Sequence, residues 1–231
     1  MQPYFLPYLG YFALIKHTDS WVVFDTVQYI DKGWMNRNRI LSQSKEGIVY
    51  ITVPVKKKSR DMLIKDTCID DTQKWRQKIK GQITFYKKKA PYYYKVNNLI
   101  NEILSFDTNK LSELNVYALE KICNYLDIDF KYTVFSHDTM GIDEVSSPDE
   151  WALEITKSMG ANTYINPPGG KSFFDNEKYK KEKIDLKFLT LNLKEYNTFS
   201  DTFIPGLSII DVMMFNHPEE ITELLNDYTY E

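Results

Sequence analysis

Near its start the chain reads Gln2-Pro3-Tyr4-Phe5-Leu6-Pro7-Tyr8-Leu9-Gly10-Tyr11-Phe12. The two prolines fix two backbone φ angles and the glycine frees a third, so the rings among them belong to a defined loop rather than to a regular element. From Gly10 to about Thr18 the residues are apolar nearly all round, which predicts a short buried helix at the end of that loop. Trp21-Val22-Val23-Phe24 is a continuous run of β-formers and reads as a buried strand that stops at Asp25. Any fold must therefore hold an aromatic loop that leads into a buried helix, followed by a strand that ends at Asp25.

Farther along, Ile48 to Val55 reads as a strong strand. Helical spacing of Trp75, Ile79, Ile83 and Phe85-Tyr86 predicts a helix within 72–89 that Pro91 ends. Two more helices follow at about Tyr92 to Ser105 and Lys110 to Leu126, making a helical insertion at about 72–126. Phe130 to Phe135, Pro148 to Met159 and Thr163-Tyr164-Ile165 read as strand, helix and strand, the order of a βαβ unit. Leu186 to Leu191 is one more strand, and helices at Ser208 to His217 and from Pro218 close the chain. The alternation predicts one α/β domain over 1–231 with a largely parallel, Rossmann-like sheet.

A formal net charge of −3 argues against a dedicated nucleic-acid binder. Two basic runs, Lys56-Lys57-Lys58 with Arg60, and Lys87-Lys88-Lys89, read as solvated surface, with contact to a phosphorylated ligand or RNA as the alternative. No run approaches the roughly 20 apolar residues of a membrane span, and no signal-peptide pattern opens the sequence. Cys68 and Cys123 show no pairing pattern and read as buried apolar residues, so a reducing cytoplasm is expected. His17, His137 and His217 are not in metal-ligand spacing, so no metal and no bound cofactor are expected.

The polar segment Trp34-Met35-Asn36-Arg37-Asn38-Arg39 carries the clearest chemistry. If it is extended, Arg37 and Arg39 share one face about 6.5–7 Å apart, while Asn36 and Asn38 share the other. Two planar guanidinium forks at that spacing suit a diphosphate; the alternative is a surface strand whose arginines pair with carboxylates. With the aromatic loop as the opposite wall, the expected binding set is Gln2, Tyr4, Tyr8, Tyr11, Gln28, Trp34, Asn36 and Asn38. Asn166 and Lys171, in the loop Asn166-Pro167-Pro168-Gly169-Gly170-Lys171-Ser172 after a strand, extend it. That loop is not a phosphate-binding P-loop, which needs a glycine where Ile165 stands. Asp25, Arg37 and Arg39 are the candidate catalytic residues, with helix capping as the rival role for Asp25.

The motifs Met1-Gln2-Pro3-Tyr4-Phe5-Leu6-Pro7-Tyr8-Leu9-Gly10-Tyr11-Phe12, Phe24-Asp25-Thr26-Val27-Gln28-Tyr29 and Gly33-Trp34-Met35-Asn36-Arg37-Asn38-Arg39-Ile40 together resemble the WbqC-like proteins. The likeness continues through Pro91-Tyr92-Tyr93, Gly160-Ala161, Tyr164, Gly169-Gly170 and Leu207-Ser208-Ile209-Ile210-Asp211. Members usually carry a short strand before the Gln-Pro motif, so the resemblance implies a start assigned late or a first strand cut short. Asn216-His217 departs from the family's pattern of a small residue after the asparagine.

The resemblance implies a part in O-antigen biosynthesis: acylation, by an aminoacyl group such as glycine, of the amine on a dTDP-linked 4-amino-4,6-dideoxy sugar. ATP or an aminoacyl-tRNA would be the co-substrate, the tRNA being unsupported by the net charge. The order of loop, Tyr8-Leu9-Gly10-Tyr11, buried helix and strand also resembles the entry to HUP-type nucleotidyltransferases, where histidines stand in place of both tyrosines. Tyrosine supplies no positive charge near neutral pH, so charge stabilisation falls to Arg37, Arg39 or Lys171. Two other functions stay open: a non-catalytic nucleotide-sugar binding or scaffold protein, and a nucleotidyltransferase.

Overall fold

A computed structural model describes residues 1–56, 59, 61–142, 145–198 and 202–231. Lys57, Lys58 and Arg60 of the first basic run lie outside the described residues. The order is α1 (Leu9–Lys16), β1 (Trp21–Val23), β2 (Arg37–Leu41), β3 (Ile48–Thr52), α2 (Trp75–Ile83), α3 (Tyr93–Leu104), α4 (Leu111–Tyr125), β4 (Tyr132–Val134), α5 (Glu150–Ser158), β5 (Thr163–Asn166), α6 (Asn176–Lys181), β6 (Asp185–Leu191), α7 (Ile209–Phe215), α8 (Pro218–Leu225) and β7 (Tyr228–Tyr230). No helix among the described residues is long and apolar enough to cross a membrane.

The local reasons are those of the sequence. Every residue of α1 from Leu9 to Ile15 is buried, as its all-round apolarity requires. Trp75, Ile79 and Ile83 form the buried stripe of α2, and Leu111, Leu114, Ala118, Leu119 and Ile122 that of α4. Pro218 opens α8 with His217 as its cap, and Glu220 closes the capping box. Cys123 is in the core, where burial pushes its thiol up to about 12, whereas Cys68 is only half-buried.

The large parallel sheet does not form. Among the described residues, parallel pairing is confined to β1 with β4, in register from Trp21 opposite Tyr132 to Val23 opposite Val134, and to β5 with β6. The short 42–47 connection forces β2 and β3 to pair antiparallel, Arg37 opposite Thr52, and β7 returns antiparallel on β6 after α8. The expected unit from β4 through α5 to β5 also fails, because β5 pairs with β6. Trp151 of α5 instead packs on Phe24 and Phe135, at 5.6 and 5.7 Å between ring centres, beside the β1/β4 pair. The result is a mixed α/β molecule with small sheets, in which one core gathers α1, β1 to β3, α2 to α4, α7 and α8. A smaller cluster of Leu153, Tyr179 and Ile184 lies under α5 and α6.

Candidate functional site: an arginine platform braced from behind

Strand β2 alternates as its sequence demands. Asn36 and Asn38 point into the protein and are buried, while Arg37 and Arg39 on the other face are half-buried. The buried amides organise the aromatic loop. Asn38 donates through Nδ2 to the carbonyls of Phe5 (3.2 Å) and Leu6 (2.8 Å), and Asn36 to that of Val53 (2.8 Å). From α4, Asn115 donates to Pro3 (2.9 Å) and Met35 (2.7 Å). Ser208 Oγ donates to Leu6 (2.7 Å), and the Ile209 amide to Pro7 (2.8 Å). Leu6 sits at φ 44°, a left-handed backbone that a leucine holds only under such bracing.

On the front of β2 the guanidiniums are differently placed. Arg37 donates to the Lys32 carbonyl and lies over the Tyr50 ring at 4.5 Å. Arg39 donates to the Gly206 carbonyl at 3.3 Å and lies 5.4 Å from the Trp34 ring centre. Such stacking orients a guanidinium without neutralising it. Neither arginine is in an ion pair among the described residues, and neither Nε has a hydrogen-bond partner. Trp34 and Tyr50 are each 40% exposed, so both charged planes border rings that solvent reaches.

The loop and the platform meet at one seam. The Ser208 backbone bridges Tyr8 on one side and donates to the Arg39 carbonyl (2.9 Å) on the other. The Tyr8 ring lies across Gly10, where a Cβ would come within 2.5 Å of it. Burial raises the pKa of both Tyr4 and Tyr8, keeping their hydroxyls as donors. Tyr4 donates to the Gln2 side chain at 3.4 Å, a long contact, and Tyr11 donates to the Gln2 carbonyl at 2.8 Å from within the core. Tyr11 is thus enclosed, as its place in α1 requires. Gln28 is exposed and bridges Leu63.

Asp25 and the pair Asn166/Lys171 lie elsewhere. Asp25 is buried just beyond β1 and accepts from the Ser136 amide (3.0 Å) and Oγ (2.6 Å) across the parallel pair. It lines a cleft of about 630 Å³ with Lys65, Lys110, Glu113, Glu120 and His137, at the carboxyl ends of β1 and β4 and the start of α4. Asn166 accepts from Tyr164 (3.1 Å), and Lys171 pairs with Glu231 (2.9 Å), at the end of the β5–β6–β7 sheet.

One group stands in the sequence only as the last residue of a family motif, with no role assigned to it. Asp211 on α7 is 1% exposed and accepts from Tyr86 (2.7 Å) and Tyr196 (2.6 Å), while the Leu41 amide donates to the Tyr86 hydroxyl (2.9 Å). Burial raises its carboxyl to about 6 against the lowering effect of both tyrosines.

A family model described as the WbqC-like protein family matches residues 2–223. The chain belongs to the WbqC-like protein family. It is also 27% identical over 228 residues to an uncharacterized protein of Mycobacterium tuberculosis, covering 97% of this chain and 95% of the relative. No solved structure matches it. In this WbqC-like chain the matched span takes in the aromatic loop, the arginine platform, the Asp25 cleft and Asp211.

Proposed function

We propose that this WbqC-like chain takes a nucleotide-linked amino sugar of bacterial surface-polysaccharide (O-antigen) biosynthesis and acylates its amine. The observation that carries the reading is the pair of guanidiniums on one face of β2, each stacked on a partly exposed ring and neither paired with a carboxylate among the described residues. Two arginines rooted about 6.5–7 Å apart along one face of a strand can turn their forks to the oxygens of one diphosphate. Trp34, Tyr50 and the Tyr8 edge of the loop offer faces to a base or sugar.

In the proposed reaction the sugar nitrogen attacks the carbonyl carbon of an activated aminoacyl group, such as glycyl. A C–N bond forms, and the C–O bond to the leaving group breaks. That group is AMP when ATP has activated the acid, or the terminal ribose oxygen of an aminoacyl-tRNA. The proton lost from nitrogen goes to a carboxylate, the role given to Asp25 for an amine that enters its cleft. The platform supplies position and charge.

A second reading is favoured by one observation: Asp25 lines the cleft, and none of Tyr8, Trp34, Arg37 and Arg39 does. It is a carrier that holds the nucleotide sugar without chemistry. Mass spectrometry of the purified protein with a dTDP-4-amino-4,6-dideoxy sugar and either glycine with ATP or glycyl-tRNA separates the two. An N-glycyl product lost in Asp25→Asn supports the transferase. Calorimetric binding with no product from either donor leaves the carrier, and absence of binding sinks both.

A further inference from the structure

Although the whole chain is acidic, the thirty positions from Thr72 to Asn101 hold eight Lys or Arg and no Asp or Glu. They build α2, the turn after it and most of α3. The apolar side chains of α2, Trp75, Ile79 and Ile83, are all buried, which leaves Lys74, Lys78 and Lys80 exposed around the outside. Lys87, Lys88 and Lys95 continue the exposed charge onto the turn and α3. None of these six ammonium groups is in an ion pair among the described residues, although the chain pairs lysines freely elsewhere, as at Lys178 and Lys121.

The basic face is also continuous with the arginine platform. Gln82 of α2 donates to the Tyr50 carbonyl at 3.0 Å, and the ring of that same Tyr50 carries Arg37. We infer that the α2–α3 face binds the phosphate backbone of a structured RNA, with an unpaired end of that RNA directed towards the rings and guanidiniums of β2. A basic helix stripe tracks phosphates, and stacking rings with arginine forks take splayed bases. An anionic membrane fits less well, because α2 turns no apolar side chain outwards and α3 adds the single exposed ring of Tyr94, short of an apolar face that could enter a bilayer. RNA carrying the acyl group would be the donor of the reaction proposed above. That link rests on the earlier reading, whereas RNA binding does not.

The test is fluorescence anisotropy of labelled, uncharged tRNA on the purified chain, alongside sedimentation with phosphatidylglycerol vesicles. The variant neutralises four of the exposed lysines, Lys78→Gln, Lys80→Gln, Lys87→Gln and Lys88→Gln. A control variant neutralises Lys131, Lys180, Lys187 and Lys194, outside this face, and circular dichroism checks that both remain folded. Expected is tRNA binding that weakens about a thousandfold between about 50 and 200 mM salt if six phosphates are contacted. The α2–α3 variant should bind at least about tenfold more weakly at fixed salt, and the control should not. Equal loss in both variants, no tRNA binding at about 50 mM salt, or capture by vesicles without capture by tRNA overturns the inference. Because uncharged tRNA is the probe, success here with no glycyl transfer would sink the acylation reading alone.

Discussion

The two faces of β2 carry polar side chains of similar reach and use them in opposite ways. Behind the strand, Asn36 and Asn38 donate to backbone carbonyls that no other described side chain except Ser208 serves. In front, Arg37 and Arg39 meet no counter-charge among the described residues and leave an Nε each without a partner, whereas behind only the Asn36 Oδ1 of this pair is left so. Buried donors with satisfied geometry build a scaffold, whereas charged forks without counter-charge await one. The strand therefore separates what must fold from what must bind by a single residue of register.

The sharpest way to break that distinction is Asn38→Leu. It leaves the Phe5 carbonyl unmet and the Leu6 carbonyl to Ser208 alone, and is expected to cost about 2–4 kcal/mol in urea unfolding, with nucleotide-sugar binding lost alongside. In front, the double variant Arg37→Ala with Arg39→Ala should weaken binding of a dTDP-sugar by about 2–3 kcal/mol in calorimetry while the urea midpoint stays nearly fixed. A large midpoint shift there would place the arginines in the scaffold.

A third expectation concerns the strand's end, where Leu41 is tied through Tyr86 to Asp211. The unfolded carboxyl titrates near 3.8 and the folded one at about 6, so the folded chain holds the proton more tightly. This contribution to stability is fully present below the unfolded value and is lost as pH rises through about 6. It amounts to about 3 kcal/mol, and melting curves of Asp211→Asn should lack that decline. The smallest effect belongs to Gly10→Ala. The new methyl displaces the Tyr8 ring while improving helix propensity, so stability should change by less than about 1 kcal/mol. Binding should weaken if Tyr8 touches the ligand.

Periodicity made much of the fold legible. The helices of 72–126, the strands at Trp21 and Ile48, and the two faces of β2 all follow from local pattern, because side-chain direction on a strand or helix is set by position alone. Pairing partners were not legible. Nothing near Asp25 announces Ser136, 111 positions away, and nothing near Asp211 announces Tyr86, 125 positions away. The alternation of strands and helices suggested one parallel sheet, yet it cannot reveal that a short turn folds β3 back on β2 or that β5 chooses β6 over β4. Tyr11 drew two incompatible expectations, buried helix and ligand contact, and the structure encloses it in the core. Asn115 carried no signal, since an asparagine in a helix usually faces water.

The bracing of the aromatic loop also fixes when it can exist. Residues 3–7 leave the ribosome early, but their carbonyls are claimed by Asn38, then by Asn115, and finally by Ser208 and Ile209. A nascent chain lacking its last tenth holds the loop's sequence without its shape. Such distant closures make assembly slow. Premature termination between α6 and α7 would thus yield a chain with both arginines, most of its helices and no completed loop.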